Sequence, residues 1–430
     1  MTTTNKLLIY NLKQIVQIVE DTKIEYLKGK ESCNNIKIIN DYDNKKLCIS
    51  CGNDGVINYV GNISLLPFHI SSYHNIHDSK GGIAIPGFVD GHTHPVFAGD
   101  RVHEFAMKLA GASYMDVQAA GGGIHFTTTK TNEACKDDLL EDFKIIADQM
   151  IQSGTTTIEA KSGYGLNTEC EVKMLQVLET ASHLLPLEIS ATFCGGHAVP
   201  KGSDERKQTD IIIKEMIPKL KKMKENNELT CLENIDVFCE KNVFEIDNSK
   251  KILKAGNEIG LNINFHGDEL TPLGGAEMGA SINAKAISHL EEVSEDGIKE
   301  MALKGSVAVL LPTTASILKL PPPPARKMIE EKVIVALGSD FNPNAYCYAM
   351  PTVMHLACIT FRMSMTEALV ASTINSAHSI GRGSTHGAIS LGRFCDVILL
   401  DANSWEHIIY RLSGHQHIIK NVIKKGQMVL

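Results

Sequence analysis

The 430-residue chain contains no run of about 18 or more apolar residues, so no membrane-spanning helix is expected. Its start, Met1 to Lys6, has no basic region leading into an apolar core, so no signal peptide is expected. It has no basic tract beyond Lys219–Lys224, which reads as one exposed helix face. With a formal net charge of -8, nucleic acid is not an expected partner. The eleven cysteines are odd in number and scattered; only Cys48 and Cys51 form a C-x-x-C step, and no second step completes a zinc ribbon. Buried reduced thiols in a cytoplasmic protein are the expectation. A hydrophobic fraction of 43% with 21% charged residues fits a soluble globular enzyme.

The length has room for a barrel of about 250–300 residues and a smaller domain. Residues 1–85 carry short β-like runs at Lys6–Tyr10, Ile15–Ile18, Lys46–Ser50, Gly55–Val60 and Gly82–Ile85. Polar stretches between them, Glu31–Asn44 and Ser71–Lys80, read as loose loops. From Pro86 the texture changes. Apolar runs predict strands at Phe88–His94, Thr155–Lys161, Glu188–Phe193, Ile235–Glu240, Asn262–His266, Ala286–His289, Val307–Leu311 and Val333–Asp340. Helical stretches lie between them, among them Asp137–Gln152, Thr168–Leu184, Lys207–Asn226, Lys250–Ile259, Ser294–Leu303 and Ala325–Glu331. Near-continuous apolar strands alternating with helices imply a parallel sheet buried on both faces, and eight such units imply a (β/α)₈ barrel. Past residue 383 β texture returns at Asp396–Asp401, Ile408–Arg411 and Asn421–Lys424, with no further helical unit. The fold class is therefore α/β. A barrel domain over 86–382 is inserted in a small β-sandwich-like domain made of 1–85 and 383–430.

Catalytic groups of such barrels sit at the C-terminal strand ends. The first predicted strand ends Phe88-Val89-Asp90-Gly91-His92-Thr93-His94, and the two-residue step points both imidazoles the same way. The spacing alone is weak, because His415-Gln416-His417 repeats it near the C-terminus. What separates the first pair is company. The fifth strand ends at His266, followed by Gly267-Asp268-Glu269; the sixth ends at His289 and the eighth at Asp340. His92, His94, His266 and Asp340 supply three neutral nitrogens and one carboxylate, a set suited to Zn²⁺ or Fe²⁺ with one position left for water. Glu269 is placed to shuttle a proton, and His289 to orient the water or polarise the scissile group. A satisfied core histidine is the competing reading of His289, and capping of the next segment that of Glu269. A buried, unpaired carboxylate at Asp340 would be costly, which favours a ligand or hydrogen-bond role.

These motifs resemble the amidohydrolase superfamily, in its one-metal branch with ligands on strands one, five and eight and a histidine on strand six. Pro95–Arg101, Lys161-Ser162-Gly163-Tyr164-Gly165, His266–Glu269 and Asp340-Phe341-Asn342-Pro343 are similar to the imidazolonepropionase family within it, over residues 82 to 425. The resemblance implies hydrolysis of the cyclic amide of 4-imidazolone-5-propanoate to N-formimidoyl-L-glutamate in histidine degradation. It implies one Zn²⁺ or Fe²⁺/Fe³⁺ per chain on His92, His94, His266 and Asp340, and a homodimer. Glu269, His289 and Asp340 would be catalytic, with the general base among them open. Arg101, Tyr114, Tyr164 and His197 would line the substrate pocket together with Glu269, and Asn342 would meet the ring. A guanidinium at Arg101 suits a propionate arm; a surface salt bridge there, and core stacking for Tyr114, are the competing readings. Many bacterial members have glycine where Asn344 stands. Asparagine tolerates positive φ, so the turn can survive while the side chain alters substrate contacts. The fourth predicted strand has no lysine to bridge two metals, which disfavours a second ion, with Glu240 the residual alternative. Deamination of another heterocycle, and a barrel kept only for binding, are the competing functions.

Overall fold

The computed structural model describes residues 5–41, 46–111 and 122–430. Its largest sheet has eight parallel strands in sequence order: Phe88–Thr93 (β1), Thr155–Lys161 (β2), Glu188–Gly196 (β3), Leu232–Cys239 (β4), Asn262–Gly267 (β5), Ala286–His289 (β6), Val307–Leu310 (β7) and Ile334–Leu337 (β8). Every residue of β1, β2, β6, β7 and β8 is buried, as a sheet covered on both faces requires. The ring closes where the chain beyond β8 meets β1. Asp340 N donates to His92 O at 2.9 Å, and His94 N donates to Phe341 O at 2.8 Å. Helices on the outside bury one stripe each. Lys136–Gln152 turns Leu139, Phe143, Ala147 and Met150 inward, the spacing of a single helix face. Among the described residues no helix is long and apolar enough to cross a membrane.

The terminal segments form two smaller sheets. One runs Ile57–Asn62, Leu47–Gly52, Asn5–Leu12, Tyr73–Asp78; the other runs Gln427–Met428, Ile419–Lys424, Val397–Leu400, Ile83–Pro86, Gln14–Ile18, Lys37–Asn40. Leu7, Ile49 and Ile57 of the first share a core with Ile15, Ala84, Val397 and Ile423 of the second, so the sheets pack face to face. Beneath the barrel, Arg382 pairs with Glu188 and Glu233 at 2.7 and 2.6 Å, anchoring the chain just before the C-terminal segment to the starts of β3 and β4.

Four local expectations are corrected. Lys37–Asn40 and Tyr73–Asp78 are strands rather than loose loops; both lie at sheet edges, where exposed polar side chains hide the pattern. Ile408–Arg411 is not β: His407–Tyr410 is a single helical turn, which a short apolar run does not distinguish from a strand. The helix expected over Lys207–Asn226 is broken at Ile212–Met216 by a π-helical turn.

Candidate active site

Strand alternation delivers His92 and His94 to one side at the end of β1. Gly338 lets the neighbouring backbone pass close, because a Cβ there would sit 2.8 Å from His92 Cβ. His266 arrives from β5. The three Nε2 atoms converge, with His92 to His94 at 3.3 Å and His94 to His266 at 3.2 Å. Asp340 Oδ1 lies 3.5 Å from His92 Nε2 and 3.6 Å from His94 Nε2. Thr314 Oγ1 donates to the other oxygen, Asp340 Oδ2. Asp340 holds φ at 49°, a left-handed backbone that a non-glycine residue adopts at a cost.

The donor set fits a metal cation. His266 Nδ1 lies 2.8 Å from Asp236 Oδ1, so the carboxylate fixes the proton on Nδ1 and leaves a lone pair on Nε2. His92 Nδ1 is 2.8 Å from Ser288 Oγ. Lone pairs that face one another at this range without a donor between them repel, and a cation at their focus relieves it. Holding a ligand imidazole through its other nitrogen is the usual support of a metal site; His92 and His266 have it, while His94 Nδ1 has no partner among the described residues. Burial first, then Lys161 for His92 and the imidazoles of His197 and His266 for His94, keeps both well below the ordinary imidazole pKa, hence neutral and ligand-ready.

Asp236, Glu159 and Lys161 were given no site role in the sequence reading. Lys161 Nζ bridges Glu159 Oε1 at 2.7 Å and Asp236 Oδ2 at 2.8 Å, all three fully buried. Burial opposes the charge on Asp236, yet His266 and Lys161 outweigh it and hold the carboxyl at about 2. An aspartate in the apolar strand Ile235-Asp236-Val237 was the available signal, since a buried carboxylate demands a partner. Glu240 accepts from Leu270 N, Thr271 N and Thr271 Oγ1, so it braces the loop after β5.

A cavity of about 360 Å³ opens above the cluster. His94, His266 and Asp340 form part of its lining, and His92 lies behind them. Glu269 and His289 face it as a pair, Oε2 to Nε2 at 3.5 Å, with Glu291 Oε2 3.7 Å behind His289 Nδ1. Burial, then Glu291 and Asp340, raises the Glu269 carboxyl well above its usual range. Tyr164 and His197 line one wall; the His197 ring stacks on His94 at 4.6 Å between centroids and 10° between planes. Arg101 also lines the cavity. It pairs with Glu104 at 2.7 Å, yet its side chain is only 10% exposed and its Nε has no partner among the described residues. Lys108, unassigned from sequence, lines it as well and donates to Asn344 Oδ1. Asn342 spends its amide locally: Nδ2 donates to Asp340 O at 2.7 Å, and Oδ1 accepts from Asn344 N at 2.7 Å. It therefore braces the loop as well as lining the cavity. Asn344 keeps a negative φ, so the turn does not use the left-handed freedom anticipated for it. Tyr114 lies outside the described residues.

A family model described as "Amidohydrolase family" matches residues 83–429. The chain belongs to the amidohydrolase family. Among relatives of this amidohydrolase, the "Probable imidazolonepropionase" of Nematostella vectensis is 52% identical over 98% of both chains. The human protein of the same name is 48% identical over 100% of this chain and 99% of its own, and that of Dictyostelium discoideum is 50% identical over 99% and 98%. Solved structures share the fold at low identity. Guanine deaminase from C. acetobutylicum superposes with a TM-score of 0.73 at 14% identity over 99% of this chain and 100% of its own. Triazine hydrolase from Arthrobacter gives 0.74 at 14% over 99% and 94%.

Proposed function

We propose that this amidohydrolase hydrolyses the cyclic amide C–N bond of 4-imidazolone-5-propanoate, giving N-formimidoyl-L-glutamate, a step of histidine degradation. The observation that carries the reading is a wall with two cations and one carboxylate, Arg101, Lys108 and Glu104, beside a metal-ready cluster. Arg101 and Lys108 line the same small cavity as the converging imidazoles, and a carboxylate arm is what two cations there would take. Purine and cytosine bases have no such arm. The name borne by the full-length relatives agrees with this chemistry.

His92, His94, His266 and Asp340 would hold one zinc or iron ion. A single ion suits the residues because the far nitrogen of His266 is taken by Asp236, and Glu240 is spent on its loop. When bound, such an ion supplies Lewis acidity, which acidifies water and polarises a carbonyl. Arg101 and Lys108 grip the propionate; Tyr164 and His197 wall the ring. Water oxygen adds to the ring carbonyl carbon, the C–N bond to the ring nitrogen breaks, and that nitrogen takes a proton. Glu269 and His289, in contact over the cavity, hold the proton between addition and departure. The products are a carboxylate and a formimidoyl group, so atoms balance with one water.

The rest of the proposal concerns assembly and setting. The chain divides into a barrel domain over 86–382 and a composite domain over 1–85 and 383–430. The switch is supported by Ser376, which hydrogen-bonds β8 at Leu337 O, and by Ile389, which lies in the sandwich core. Exposed Phe105, Ile145 and Tyr346 around one groove favour a homodimer. Eleven free thiols fit a reducing cytoplasmic compartment. The test of function is loss of the ultraviolet absorbance of imidazolonepropionate with purified, metal-loaded protein. Turnover of a heterocyclic amine without turnover of this substrate would replace the reading with deamination.

A further inference from the structure

The loop after β2, residues Ser162–Leu166, carries Tyr164 to the cavity wall in a backbone shape that cannot hold itself. Gly163 and Leu166 have φ of 117° and 56°, and a side chain at Gly163 would press within 3.0 Å of His197 Nδ1. Three of its main-chain N–H groups go to one buried carboxylate. Glu171 Oε1 accepts from Gly165 N at 2.7 Å and from Leu166 N at 2.8 Å, and Glu171 Oε2 accepts from Gly163 N at 3.0 Å. Glu171 is 1% exposed and sits in the first turn of the helix Thr168–Leu184. The carbonyls are held from other sides. His197 Nδ1 meets Gly163 O at 3.1 Å, Asn132 Nδ2 donates to Gly165 O at 3.0 Å, and Gln208 Nε2 donates to Leu166 O at 3.0 Å. The loop thus forms no ladder of its own and borrows nearly every bond from side chains.

We propose that Glu171 is a positioning residue for substrate binding: by gathering three N–H groups it fixes Tyr164, and through Gly163 O the ring of His197, in the pocket. The claim rests on the reading of Tyr164 and His197 as substrate contacts. A carboxylate that accepts several N–H groups without turning outward organises a loop as an N-cap organises a helix, with charge-assisted bonds. Glu171 touches neither the cavity nor the metal cluster, so its loss acts through the loop alone.

The test is Glu171→Gln, which keeps the shape but replaces one acceptor oxygen by an N–H₂ group. The KM for imidazolonepropionate is expected to rise about tenfold, the worth of one charge-assisted bond, with kcat and metal content little changed. Calorimetric affinity for imidazole-4-propanoate, which cannot be hydrolysed, falls in parallel. Glu171→Gln combined with Tyr164→Phe costs less than the product of the single effects, because both act on one contact. Unchanged KM, or effects that simply multiply, would overturn the assignment. If the Gln variant does not fold, Glu171→Asp, which keeps the charge but draws the oxygens back from the three N–H groups, is read in the same way, and an unchanged KM there would overturn it equally. Wild-type protein inert toward imidazolonepropionate strikes the functional reading instead, and is seen before any variant is made.

Discussion

Two His-x-His steps in this chain share a spacing and end in opposite states. His92 and His94 leave a strand, where residues two apart point the same way, and their Nε2 atoms come within 3.3 Å of each other. His415 and His417 lie in a 3₁₀ turn after Gly414, where each residue rotates by about 120° and residues two apart diverge. His415 is buried with neither ring nitrogen partnered among the described residues, while His417 faces solvent. The first pair has Ser288 behind it and His266 and Asp340 in front; the second has no such company. The motif acquires chemistry from the element that carries it and from the groups that element faces.

The most severe way to break the contrast is Asp340→Ala. Losing the carboxylate that faces the imidazole focus should cut turnover by about 10³-fold or more and release the metal while the fold persists. Kinetics, metal analysis and circular dichroism check this together, and near-normal activity would refute the cluster. Asp236→Asn strikes one shell further out. Weakening the anchor of His266 should lower metal affinity by about 10–100-fold, measured by competition with a chelator. Arg101→Met leaves the cluster intact and should raise KM by about tenfold or more with kcat nearly kept, if the guanidinium grips the propionate. At the small end, His415→Leu removes two buried, unpartnered nitrogens and should shift stability by no more than about 1 kcal/mol, in either direction, with metal content unchanged. A loss of metal on that substitution would collapse the distinction between the pairs.

The parts of the molecule legible in sequence are those under the strongest constraint. Barrel strands such as Thr155–Lys161 are buried on both faces, so their apolar run announces them. Tyr73–Asp78 pairs on one edge only and shows a polar face, and its run vanishes among loop residues. The histidine and aspartate positions were legible because they recur at strand ends. Asp236 and Lys108 each stand alone in the sequence, and only the folded barrel brings one to His266 Nδ1 and the other beside Asn344. Asn342 was expected to meet the ring and lines the cavity, but its bracing of Asp340 O and Asn344 N depends on a local turn that no spacing encodes.

The most direct measurement is a titration of metal-stripped protein with Zn²⁺ or Fe²⁺ while imidazolonepropionate turnover is followed. The account predicts no activity without metal and a linear rise that stops at one equivalent per chain. Full activity in the stripped protein, or a break at two equivalents, would contradict the single centre built on His92, His94, His266 and Asp340.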